Sequence, residues 1–285
     1  MVKITSESSA DLNEYFEKRN VGVIPLSVSL DGKDYLDGVD IFPQDIFDAY
    51  EQKKILPKTA ALSPENYKDF FRPIRETGCE IVHFALSSKI TTNCRNAITA
   101  GDEIGGVYVV DTHSLSTGIG LLVMYACDLA DRGLSAKEIY EKVTARVPKV
   151  QTSFVVDTME YLHKGGRCSG MARLVAGVLK IKPTIQLVDG EMKVGSKYVG
   201  SFAKNIIKYV DNTLREFNNP DYTRIFVTHS HAEPEVVQSV VEEVRRVAPQ
   251  FKEILVTTAG ATITAHCGKG TLGILYINDG GENAY

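Results

Sequence analysis

Apolar and polar positions alternate in blocks along this chain. Short runs rich in β-branched and aromatic residues recur: "VGVIPLSVSL", "EIVHFALS", "GVYVVDT", "TSFVVDT", "RIFVTHS", "EILVTTA" and "LGILYIN". Runs of this kind predict strands. Between them, apolar residues step by three and four, most clearly in "LLVMYACDLADRG" and "PEVVQSVVEEVRRV", and predict helices. Strands alternating with helices give an α/β fold with largely parallel sheets. The opening "MVKITSESSADL" lacks the apolar run of a signal peptide and reads as a first strand leading to a helix. In "ARVPKVQT", Pro148 ends a helix before a strand at Thr152. We place a domain boundary there. Two α/β domains, residues 1–149 and 150–285, then enclose a ligand cleft or tunnel, a frequent place for small-molecule sites.

Composition narrows the function. At 285 residues the chain exceeds the ~100–200 of one average domain, and 44% apolar residues allow a sizeable core. A net charge of -4 argues against a nucleic-acid or anionic-membrane partner. The longest apolar run, "GIGLLVMYAC", stops at Asp128, short of the ~18 residues of a membrane span, so no stable membrane insertion is expected. Cys79, Cys94, Cys127, Cys168 and Cys267 are scattered and contain no CxxC pair. They read as reduced thiols of a cytoplasmic protein, not as a disulfide or zinc framework.

The loops after the predicted strands carry hydroxyls and histidines: "LSSKITTNCRNA", "DTHSLSTG" and "THSHAEP". In open α/β sheets, ligands bind beyond the carboxyl ends of strands, where such loops lie. Serine and threonine also cap helices, so Thr91 and Thr92 fit either a ligand anchor or a helix start. His229 and His231 have metal-like spacing but no third ligand in register, and no metal is expected. His83 and His113 read as structural, hydrogen-bonded histidines. In "YLHKGGRCSG", Gly165 and Gly166 permit a sharp turn or a close backbone approach. That segment is either a plain turn or a device that presents Arg167 to an anion. The apolar "MARLVAGVLKIKP" after it suits a cavity wall or ordinary core. The G-x-G-x-x-G of Gly268, Gly270 and Gly273 leads into an apolar strand instead of opening a helix, so it is not read as a dinucleotide fingerprint. No P-loop or G-x-S-x-G elbow occurs. His266, beside these glycines, is a candidate ligand contact.

Taken in order, "SSADL", "VIPLSV", "DGKDY", "PKTAALSPENY", "LSSKITTNCRNA", "VVDTHSLSTGIG", "FVVDTMEYLHKGGRCS", "LKIKPTIQLVDGEM" and "HCGKGTLGI" resemble the DegV family of bacterial fatty-acid-binding proteins. The resemblance spans nearly the full chain, and the D-T-x-x-Y-L-x-K-G-G-R block is its most specific piece. It implies two α/β domains around one buried acyl chain and no other cofactor. Some members are the acyl-carrying subunit of a bacterial fatty acid kinase, in which a separate ATP-binding subunit phosphorylates the carboxylate for phospholipid synthesis. By position, the resemblance implies Thr59 and Thr91 as hydroxyl donors to the carboxylate, with Thr92, His266 and Arg167 beside them. Ser88, Asn93, Gly165, Gly166 and Gly268 are supporting loop positions. The family's Ser-Gly-Thr is here Thr91-Thr92-Asn93, its Thr-Ser-Gln is Thr59-Ala60-Ala61, and Val199 stands near the place of a family arginine associated with the kinase.

The leading expectation is therefore a non-catalytic fatty-acid carrier with a possible kinase partner. Two competing readings are a small α/β hydrolase or phosphotransferase using His229, His231 or His266, and a regulatory module for another amphiphile.

Overall fold

The computed structural model describes residues 1–170 and 181–281. Four strands form a wholly parallel sheet in the order β2 (Gly22–Ile24), β1 (Val2–Glu7), β6 (Glu80–Ala85), β7 (Val107–Asp111). A small antiparallel sheet, β4 (Lys33–Leu36), β3 (Ser27–Leu30), β5 (Lys58–Ala60), lies beside it. The third sheet has seven strands: β13 (Glu253–Thr258), β12 (Arg224–Ser230), β14 (Thr271–Ile277), β8 (Val150–Val155), β10 (Ile181–Val188), β11 (Glu191–Val199) and β9 (Cys168–Ser169).

The α/β class follows the sequence reading, and parallel order is confined mostly to the first sheet. In the seven-stranded sheet only β12–β13 and β11–β9 are parallel; the other four pairings are antiparallel. For the consecutive pairs β10–β11 and β3–β4 the physical reason is turn chemistry. β10 and β11 are joined through Asp189-Gly190, both with positive φ (52° and 81°), and β3 and β4 through Asp31-Gly32 (53° and 78°). Two-residue turns of this hand close antiparallel hairpins.

Helix α5 (Thr117–Asp131) explains the longest apolar run. Twelve of its residues are buried on all sides, as expected of a helix enclosed by other elements. It packs on β1 and β6 of the first sheet and on β8, β12 and β14 of the large one, so it is the central layer between them. Outside, α3 (Pro64–Glu76) and α4 (Asn93–Ile104) cover the first sheet through Tyr67, Phe71, Ala97 and Ala100. Two more helices, Phe202–Glu216 and Pro234–Val247, cover the large sheet through Ile206, Val210, Val240 and Val244. Among the described residues no helix is long and apolar enough to cross a membrane.

Candidate functional site

A cavity of about 440 Å³ opens where the carboxyl ends of the first sheet's strands meet the inner face of the large sheet. Its size falls in the ~300–1,000 Å³ range of small-ligand sites. Leu26, Leu86, Leu115, Phe154, Leu162 and Leu275 give it apolar walls, and Met192, Ile90 and Ile263 add to them. Among the described residues its charged lining is Lys89 and Arg167, with no aspartate or glutamate. An anion therefore meets no like charge there.

The loop 86–92 between β6 and α4 supplies one rim. It turns back through Ile90 and Thr91, whose N–H groups donate to Ser87 O at 2.9 and 3.2 Å. Thr91 Oγ1 accepts from Asn93 N–H at 3.4 Å, and Thr92 occupies the cap position of α4 without a side-chain cap bond. The hydroxyl of Thr92 therefore does not close this helix start. Asn93 is buried and structural: its Oδ1 accepts from Leu62 N–H at 3.0 Å, while Asn96 Nδ2 donates to Leu62 O at 2.7 Å. These two bonds tie the chain after β5 to the head of α4, which brings Thr59 and Thr91 into one cavity.

Below this rim lies Glu7, fully buried. Its Oε1 accepts from Tyr67 O–H at 2.6 Å and its Oε2 from Leu86 N–H at 3.0 Å. Burial outweighs these bonds and pushes its carboxyl up to about 7.

The opposite rim is helix α10 (Ala261–Cys267, the last helix before β14). Its first N–H groups are held by acids from the other half of the chain. Gly260 N–H donates to Asp11 Oδ1 at 2.9 Å, and Ala261 N–H donates to Asp37 Oδ1 at 2.7 Å. Near its other end, His266 Nε2 lies 2.9 Å from Thr59 Oγ1. His266 Nδ1 is buried without a partner. Burial, with Arg167 adding to it, pulls the imidazole down to about 4, so it is neutral near pH 7. An unfilled lone pair costs less than an orphaned N–H, which assigns the proton to Nε2. His266 then donates to Thr59 Oγ1, and the Thr59 hydroxyl keeps its own proton for a ligand.

The double glycine serves both sequence readings. A Cβ on Gly165 would stand 2.6 Å from His266 Nδ1, so only glycine lets α7 (Glu160–Gly165) approach the imidazole. Gly166 (φ 68°) ends that helix. Arg167 follows, exposed, donating to Gly165 O at 2.6 Å and lining the cavity. Gly268 (φ 73°) turns the chain out of α10 towards β14. Ser88 lies on the rim, exposed. Of the apolar run after Arg167, residues 171–180 lie outside the described residues.

Of the histidines of the hydrolase reading, His229 and His266 line the same cavity and His231 lies outside it. His266 is engaged with Thr59, while His231 packs edge-on against Phe47 in a separate groove (ring centroids 5.5 Å apart). His229 lines the cavity and accepts from Ala232 N–H at 3.3 Å. Among the described residues no cluster of histidine, cysteine or acid could hold a metal. His83 differs from the sequence reading: Nδ1 meets Thr5 Oγ1 at 3.0 Å, but Nε2 is buried without a partner among Tyr67, Phe70 and Phe71. His113 is exposed beside Asp111 (3.3 Å). Sequence reasoning missed Lys89, and it missed Asp11 and Asp37, whose bonds to the start of α10 span more than 200 residues.

The family model that matches residues 1–279 is described as an uncharacterised protein of the DegV family. DegV domain-containing proteins of Caldanaerobacter subterraneus and Clostridium acetobutylicum are 28% and 29% identical, each over 280 residues. These matches cover 96% and 97% of this chain and 98% of each relative. A DegV family protein of Thermus thermophilus, whose structure is described as showing fatty acid binding, superposes with a TM-score of 0.89 at 26% identity. That match covers 98% of this chain and 99% of that one. A stearic-acid-binding protein of Eubacterium ventriosum gives a TM-score of 0.84 at 28% identity, covering 98% of each chain. The chain belongs to the DegV family.

Proposed function

We propose that this DegV-family chain binds a long-chain fatty acid in the cavity between its sheets. The carboxylate lies against Thr59 and Thr91, with Thr92, Arg167 and His266 around it. The observation that carries this reading is the make-up of the cavity. The Thr59–His266 pair, the 86–92 rim with Lys89, and Arg167 share one cavity with a set of leucine, isoleucine, phenylalanine and methionine side chains, and its described lining holds no acid. Fatty acid binding by the Thermus thermophilus and Eubacterium ventriosum proteins supports it.

The energetics agree. About 15 buried methylenes at ~0.8 kcal/mol each offer roughly 12 kcal/mol gross. Association and ordering remove several kcal/mol of that, which leaves a firmly held ligand. The carboxylate needs only a few donors, and threonine hydroxyls with the N–H groups at the start of α4 are suited to it.

The chain acts as a carrier and not as a catalyst, presenting the head group to a separate ATP-binding subunit that forms the acyl phosphate. Its five free thiols fit the reducing cytoplasm. Val199, 69% exposed at the end of β11, then belongs to the surface that such a subunit meets. Delipidated protein titrated with stearate tests the reading: uptake at micromolar concentration is expected, and no uptake overturns it.

A further inference from the structure

One buried hydroxyl on the cavity wall has no partner. Thr262 is 4% exposed, and its Oγ1 makes no hydrogen bond among the described residues. A threonine within a helix ordinarily turns its hydroxyl to the carbonyl three or four residues earlier. Here both of those carbonyls are engaged by other side chains. Thr258 O accepts from Asn13 Nδ2 at 3.0 Å, and Ala259 O accepts from the Thr264 hydroxyl at 3.4 Å.

Position adds a second reason. Thr262, Ile263, His266 and Cys267 line the cavity, the one- and four-residue steps of a single helix face. The other buried hydroxyls of the lining (Ser116, Thr228, Ser230 and Thr271) all have partners. Thr262 alone among them is left unpaired, and an unpaired buried polar group is costly unless something in the cavity meets it. A plain alkyl chain cannot. In the reading above the head group is taken up by Thr59 and Thr91, and Thr262 stands four residues, about 6 Å of helix axis, from His266, which leaves its hydroxyl to the ligand's chain.

We propose that the cavity takes an oxygenated long-chain fatty acid, with a hydroxyl or keto group on its chain, and that Thr262 reads that oxygen. The Thr262 hydroxyl donates to the chain oxygen while the carboxylate occupies the Thr59–Thr91 end. The inference rests on the fatty-acid reading above and sharpens it from a class of ligand to a subclass. Apolar walls tolerate an added hydroxyl without favouring it, whereas a wall group that needs a partner penalises the ligand lacking one.

The test is calorimetric titration of delipidated protein with stearate and with hydroxy- and ketostearates that differ in the position of the oxygen. At least one oxygenated acid is expected to bind about tenfold more tightly than stearate. In Thr262→Val the ratio of the two Kd values should collapse, and in Thr262→Ser, which keeps the hydroxyl, it should persist. Equal affinities across the wild-type panel, or a preference that survives Thr262→Val, overturns the inference. No uptake of any acid, stearate included, removes the fatty-acid reading itself. Stearate uptake without discrimination removes only the role of Thr262.

Discussion

At the scale of single residues, the account turns on two uncharged side chains, Thr59 and Thr91, from different parts of the chain. Thr59 sits in a short edge strand with exposed neighbours and owes its place to a bond with His266, 207 residues away. Replacing Thr59 and Thr91 together with valine should weaken fatty acid binding by roughly 1–3 kcal/mol, about five- to 150-fold in Kd. Titration of the delipidated double variant checks this, and an unchanged Kd removes both residues from the site. Thr91 and Arg167 could be named as candidates because each lies in a motif that is compact in the chain, "SKITTN" and "HKGGR". The unpaired nitrogens of His83 and His266 were not legible, since the burial that leaves them unpaired comes from elements far apart in sequence. The role of Gly165 was half legible. A double glycine announces a turn, but the imidazole that requires it is visible only in three dimensions.

At the scale of elements, Glu7 shows how the rim is held. It ends β1, and through Leu86, Tyr67 and Ser9 it fastens the end of β6 to α3 and the loop after β1. Burial raises its carboxyl from 4.5 to about 7. Between those values the unfolded chain has released the proton and the folded chain retains it. The Glu7 contribution to stability is thus full at low pH and is lost as pH rises from about 4.5 towards 7, by at most ~1.4 kcal/mol per pH unit. Buried His83 and His266, lowered to about 3 and about 4, act in the opposite sense and favour folding as pH rises towards 6.5. The clean measurement is therefore a difference. In urea titrations, Glu7→Gln should gain on the wild type as pH rises from 5 to 7, whereas a constant difference contradicts the assignment. Strands and long helices were readable from periodicity because burial on one face is a local pattern. The hairpins were signalled by their Asp-Gly turns, and the pairing of β8 with β14 by nothing local, since 115 residues separate them.

At the scale of the molecule, two sheets share one buried helix and close over one cavity. The chain passes from one sheet to the other around residues 146–150, which read in sequence as a weak joint before a proline. That joint carries a fully buried arginine. Arg146 donates to Asp279 Oδ2 and Oδ1 at 2.9 and 2.8 Å and to Asp221 Oδ2 at 2.7 Å, and its guanidinium stacks over Tyr125. Arg146→Ala would leave two buried carboxylates unpaired, and urea denaturation should show a loss of about 3–5 kcal/mol; a loss under ~1 kcal/mol would mean that the pairing does not hold the halves together. The cavity itself is a property of this closure, which is why its residues could be named from motifs but its walls could not be drawn from them. A crystal structure of the delipidated protein soaked with stearate tests the central claim most directly. The account predicts the carboxylate within hydrogen-bonding distance of the Thr59 and Thr91 hydroxyls and the chain running between Leu86, Phe154 and Leu275. A carboxylate at the opposite end of the cavity, or a fatty acid in the groove beside Phe47 and His231, would contradict it.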